Sequence, residues 1–132
     1  MVRRGSIIFR ILLVVYLAAV AYLCFADFHD MPETEKTILG IRMDKIVHFL
    51  MFLPFPFMVN FSLPAFIKRR RIISSSIVAL VCGAAVAAFT EIVQSRLPYR
   101  SGDPADFLTD VIAITVGTAA VLAINLSKSA GK

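Results

Sequence analysis

Only two cysteines and two histidines occur in the 132 residues, no stretch alternates apolar with polar residues, and no segment repeats another. Each shortage excludes something. Cys24 falls near the end of one apolar segment and Cys82 nearer the middle of another, about 15 Å apart in depth along a helix, which is too far for a disulfide. Without period-two alternation a membrane β-barrel is ruled out. His48, Glu91 and Asp110 are ligand types that suit zinc, but no HxxxH or similarly close ligand spacing supports a metal site, and no cofactor is expected. Without an internal repeat, four segments make a poor transporter unless the chain is an oligomer, which the sequence leaves open.

What is present is apolar. Hydrophobic residues make up 58% of the chain and mean hydropathy is +0.80, far above soluble globular composition. Four segments approach the roughly 20 residues needed to cross a hydrocarbon core: about 7–26, 46–67, 72–95 and 104–126. Backbone groups in lipid must be satisfied within each segment, so these are helices. The fold class expected is all-α, a membrane-spanning four-helix bundle forming one domain over residues 1–132. Arg3 and Arg4 before the first segment, and Cys24 and Ala26 at its end, resemble a secretory signal. Its apolar run exceeds the usual ~7 to 15 residues and three further segments follow, so it reads as a retained helix.

Basic residues set the orientation. Lys68, Arg69, Arg70 and Arg71 mark the loop between the second and third segments as cytoplasmic. Arg3, Arg4 and Arg10 agree at one terminus and Lys128 and Lys132 at the other, so both termini are expected in the cytoplasm. All nine acids, Asp27, Asp30, Glu33, Glu35, Asp44, Glu91, Asp103, Asp106 and Asp110, then fall on the outer side. The net charge of +5 is therefore unevenly distributed, and attraction to anionic lipid accounts for the basic face without a nucleic acid partner.

Three polar stretches enter the membrane from that outer side. In "RMDKIVHFLMF", Asp44 and His48 are four apart on one helix face, with Lys45 beside them. In "TEIVQSRLPYR", Glu91 and Gln94 share a face and Arg96, Pro98 and Arg100 lead out. In "SGDPADFLTD", Asp103 reads as an N-cap, Pro104 as the first helical residue and Asp106 as a favourable acid in the first turn. Asp110 lies one turn deeper and does not fit a capping role. Below these groups run small residues, Ala113 and Gly117 under Asp110, and Ala88, Ala87, Ala84 and Gly83 under Glu91, as in closely packed membrane helices. A charge at the bilayer centre costs roughly 2.5 to 3.5 kcal/mol on insertion scales. Several ionisable groups at similar depth therefore need one another, water or a ligand. The expected result is an outward-opening pocket lined by Asp44, Lys45, His48, Glu91, Gln94, Arg100, Asp106 and Asp110.

"DKIVHF", "EIVQSRLPYR" and the acid-led fourth segment together resemble the VanZ-like family of small bacterial membrane proteins. The family pattern has Asp-Lys followed by His and Phe, then Glu with Gln three later, Pro and Arg in the loop, and Asp four before an Asn that precedes spaced glycines. The matching positions are Asp44, Lys45, His48, Phe49, Glu91, Gln94, Pro98, Arg100, Asp106 and Gly117. Two positions depart from it: Asp110 stands where the family usually has Asn, and Ala113 where the first glycine would be. Pro54, Pro56 and Pro64 also imply a kink below the His48 turn.

The family's namesake contributes to resistance against the antibiotic teicoplanin, so the resemblance implies a multi-pass protein of the bacterial inner membrane with a cell-envelope role. Three readings of the polar residues stay open. One is an enzyme acting on a lipid-linked envelope substrate, with Glu91 or His48 as general base and Lys45 and Arg100 as anion binders. The second is a module that grips a lipid headgroup or amphiphilic drug without turnover, and the third is a salt-bridged network that fixes helix register. Orientation is directly testable: of cysteines introduced singly at Ser101 and Ser129 in a Cys-free background, only the one at Ser101 should react with a membrane-impermeant thiol reagent in intact cells. Labelling at Ser129 alone would invert the topology.

Overall fold

The computed structural model describes residues 4–27, 37–63 and 69–131. Helix α1 (Arg4–Phe25) leads to a short hairpin of β1 (Thr37–Ile38) and β2 (Ile41–Arg42), followed by α2 (Met43–Phe52), α3 (Phe55–Ser62), α4 (Arg69–Gln94) and α5 (Pro104–Ala130). Four stretches are long and apolar enough to cross a membrane, Ile7–Phe25, Met43–Ser62, Arg70–Gln94 and Pro104–Ala130, with α2 and α3 forming the second together. The all-helical four-span architecture expected from the sequence is therefore present. Of the residues invoked for orientation, Arg3, Asp30, Glu33, Glu35, Lys68 and Lys132 lie outside the described residues, as do Pro64 and the predicted tail of the second helix.

The start of α5 follows from its sequence. Asp103 is the N-cap, its side chain accepting from the Ala105 amide at 2.9 Å, and Pro104 takes the first turn, where its missing N–H costs nothing. The second span breaks at Leu53 and Pro54. Pro54 and Pro56 have no N–H to offer the carbonyls of Leu50 and Phe52, so the helical ladder cannot run through. The Tyr16 hydroxyl of α1 donates to the Met51 carbonyl at this break. The hairpin was not foreseen; Gly40, at φ 79° in "ILGI", is the residue that could have signalled it.

Helices α4 and α5 pack along their length, and α1 lies against α3 and α4. The core joins Val20 and Cys24 of α1, Phe52 of α2, Ala87 of α4, and Ala113 and Ile114 of α5, the last three fully buried. Large aliphatic side chains elsewhere face outward, among them Ile11, Val15, Val81, Ile92 and Val116, as expected of surfaces that meet lipid. At the end of the bundle carrying the described termini, Arg10 Nε of α1 donates to the Ser62 carbonyl at 3.2 Å, and Asn125 Nδ2 donates to Asn60 Oδ1 at 2.7 Å. Cys24 is buried and Cys82 exposed, and neither forms a disulfide.

The small-residue seam differs from its expected form in one respect. A Cβ on Gly83 would meet Ile114 of α5 at 2.8 Å and Phe55 of α3 at 3.0 Å, so α4 does present its small face to α5. Gly117 faces elsewhere: its Cβ would stand 2.7 Å from the Leu53 carbonyl and 3.1 Å from Pro56 Cγ. It therefore admits the second span, at the level of its proline break, instead of α4. A leucine at Gly117 should lower the thermal midpoint in detergent, at a cost of roughly 1 to 3 kcal/mol for overpacking. Ala119→Leu, on the exposed side of α5, should be mild. Equal losses at the two positions would contradict this packing.

Candidate functional site

The hairpin, the ends of α1 and α4, and the starts of α2 and α5 meet at the end of the bundle opposite the described termini. Lys45, in the first turn of α2, reaches across to α5, its Nζ 3.0 Å from Asp103 Oδ2 and 2.6 Å from Asp106 Oδ1. One turn deeper, His48 Nδ1 lies 3.1 Å and 3.3 Å from the two oxygens of Asp110, a side chain only 1% exposed. With Asp110 ionised its oxygens can only accept, and Nδ1 then carries the hydrogen and donates. That leaves Nε2 turned to Asp106 Oδ2 at 3.9 Å, beyond hydrogen-bond length. Lys45 and His48, one helical turn apart, thus meet Asp106 and Asp110, spaced one turn apart on α5, as two rungs between the helices.

Glu91 approaches from α4. A Cβ on Gly102 would stand 3.0 Å from Glu91 Oε1, and the carboxylate lies against the Asp103 backbone amide. The absence of a side chain at 102 thus lets the loop before α5 close over Glu91. Asp44, expected among the lining residues, instead pairs with Arg42 of β2 at 3.1 Å, and both side chains are substantially exposed.

Gln94 and Arg100 are employed differently from the lining role expected of them. Gln94 Nε2 donates to the Cys24 carbonyl at 3.1 Å, and Arg100 Nη2 to the Leu23 carbonyl at 2.8 Å. Tyr99 adds its hydroxyl to the Phe25 carbonyl at 3.0 Å. Three consecutive carbonyls at the C-terminal end of α1 are thereby satisfied by the end of α4 and the loop after it, and a helix end leaves such carbonyls without intrahelical partners. The signal for this was present in the clustering of donors from 94 to 100, but which carbonyls they serve depends on tertiary placement.

Among the described residues the cavity that stands out is not at this cluster. It lies between α3, α4 and α5, lined by Asn60, Ser76, Thr118 and apolar neighbours, and its volume of about 10 Å³ is near the minimum for one water. Nor do the described residues bring together three His, Cys, Asp or Glu side chains able to hold a metal.

Asp103 lies just outside the apolar span. The Ala105 amide and then the Lys45 ammonium hold its carboxyl below the ordinary aspartate range. A depressed folded value contributes stability that is present above the unfolded value of ~3.9 and is lost as pH falls through the folded one. Asp103→Asn keeps the cap's oxygen and removes the charge. Its thermal midpoint should fall below wild type at pH 7, and the gap should close on acidification below about pH 4. A gap unchanged at low pH would assign Asp103 no electrostatic part.

Comparison with known proteins returns one relationship. No curated protein and no solved structure gives a significant match to the chain. The VanZ/LLP1 family model matches residues 9–125, which take in nearly all of the four spans and every residue of the cluster. By that match, the chain belongs to the VanZ/LLP1 family.

Proposed function

We propose that this multi-pass membrane protein works in the bacterial inner membrane with both termini in the cytoplasm, and that its hairpin-end cluster engages a lipid-linked or amphiphilic ligand of the cell envelope. The observation that carries the reading is the braced imidazole: Asp110 fixes His48 through Nδ1 and leaves Nε2 directed at Asp106, toward the hairpin end of the bundle. A carboxylate that fixes the tautomer of an imidazole makes the free nitrogen a positioned proton acceptor or a hydrogen-bond partner for a ligand. Lys45 and Arg100 are engaged on carboxylates and on a helix end. The four carboxylates Asp103, Asp106, Asp110 and Glu91 outnumber the three basic side chains Lys45, His48 and Arg100 at this end. That balance suits a head group bearing an ammonium better than one bearing a bare phosphate. Resistance to teicoplanin, as for the family's namesake, would be one consequence of such engagement.

A specific observation favours a second reading. The engagement of Gln94, Tyr99 and Arg100 with the end of α1 shows polar side chains at this end spent on holding helices together, which is what a register-fixing network does.

The two readings separate when function and stability are measured side by side. In a teicoplanin-susceptibility or envelope-phenotype assay at matched membrane expression, Glu91→Gln should abolish the phenotype while keeping a thermal midpoint near that of wild type, and His48→Gln, whose amide can still donate to Asp110, should abolish it with a smaller loss of midpoint than Asp110→Leu. Asp110→Asn retains an oxygen for His48 Nδ1 and should keep most of the activity. Asp110→Leu leaves His48 buried and unpaired, at roughly 1 to 3 kcal/mol, and should lose both. If activity follows the thermal midpoint across all four variants, the network reading replaces ligand engagement.

A further inference from the structure

The hairpin between α1 and α2 carries a surface that the site does not use. Its strands pair Thr37 with Arg42 and Ile38 with Ile41, and Leu39 and Gly40 form the two-residue turn. Both turn residues have positive φ, 54° at Leu39 and 79° at Gly40. A turn of this kind favours Asn or Asp at its first position, since these tolerate the left-handed region and a leucine rarely does. Leu39 is nonetheless there, and it is 97% exposed. Ile38 and Ile41 beside it are about half exposed. An aliphatic side chain in a costly backbone conformation, held away from the rest of the described chain, gains nothing from water.

The surroundings point to what receives it. Arg42 ends β2 and Met43 begins α2 without a linker, so the hairpin lies at the boundary of the apolar span. Val47 and Leu50 on α2 are exposed aliphatic residues of that span, and Ile38, Leu39 and Ile41, also exposed, precede its start directly in the chain. The hairpin carries no acid, and its single charge, Arg42, is paired with Asp44 at 3.1 Å, so the apolar tip can enter lipid without taking an unpaired ion with it.

We propose that the hairpin is a membrane-interface anchor: Ile38, Leu39 and Ile41 insert into the head-group and upper acyl region of the lipid leaflet at that end of the bundle. Because Lys45 follows β2 by three residues, the anchor also sets the depth at which Lys45 and its two aspartates sit. Nothing in this depends on whether the cluster binds a ligand or performs chemistry.

The sequence supplies a clean probe, since it contains no tryptophan. Leu39→Trp and, separately, Ile41→Trp would be reconstituted in phosphatidylethanolamine–phosphatidylglycerol vesicles. Leu50→Trp serves as a control for a lipid-facing position. Both hairpin variants should emit at shorter wavelength than tryptophan in water. Acyl chains brominated near the head group should quench them at least twofold more strongly than chains brominated near the terminal methyl, and aqueous iodide should have little effect. Water-like emission with efficient iodide quenching would overturn the proposal. So would blue-shifted emission insensitive to brominated lipid, which would mean that protein, including a second copy of the chain, covers the hairpin. The two variants probe the turn and the strand separately, so local disturbance by one tryptophan does not decide the result.

Discussion

A carboxylate as deeply buried as Asp110, in a helix otherwise suited to lipid, is the constraint on which this end of the molecule depends. Removing an ion from water is expensive, and the cost is recovered only when a partner of good geometry supplies hydrogen bonds. His48 is that partner. Because the two residues belong to α2 and α5, the pairing ties together helices 62 positions apart in the chain, and Lys45 repeats the tie one turn nearer the surface with Asp103 and Asp106. The rungs fix both the rotation of α2 about its axis and its height against α5. Slipping either helix by one residue would turn a rung off the facing carboxylate and leave a charge unpaired.

A second demand runs through the same region, and it competes for the same kinds of side chain. In an apolar surrounding each free backbone carbonyl needs a donor. Gln94, Tyr99 and Arg100 serve the end of α1, Tyr16 serves the proline break, and Arg10 serves the end of α3. Apart from the Asn60–Asn125 pair, these polar residues form two groups. One consists of donors used on backbone, which hold the architecture. The other consists of the ionisable side chains of α2, α4 and α5, which meet one another.

That division explains which parts were legible in the sequence. The spans could be read because hydrophobic length is a property of each segment alone, and the start of α5 because the Asp-Pro-x-Asp signature acts within one turn. The convergence of Lys45, His48, Asp106 and Asp110 could be anticipated from i,i+4 spacing at matching depths. What spacing could not provide was the partner of each donor. Gln94 and Arg100 share their stretch with Glu91, yet they donate to the Cys24 and Leu23 carbonyls of α1, a feature of packing that spacing does not encode. Gly117 was legible as a close-approach position but not as one facing Leu53, since that follows from how far the proline break displaces the second span. The hairpin escaped notice because two-residue strands have no periodicity to detect.

The break itself bears on the site. Pro54 and Pro56 lie between one and a half and just over two turns below His48, and there the carbonyl of Leu53 comes against Gly117. A continuous helix would force the upper half of the span to follow the tilt of the lower half, which packs against α1 and α4 as well as α5. With the ladder interrupted, α2 can align with α5 while α3 aligns with its own neighbours, and the contact at Gly117 is the pivot between them. The prolines and Gly117 therefore act together: the first release α2 from α3, and the second gives the released backbone a place to seat. The rungs at Lys45 and His48 can then form at full hydrogen-bonding contact without distorting the span that supports them.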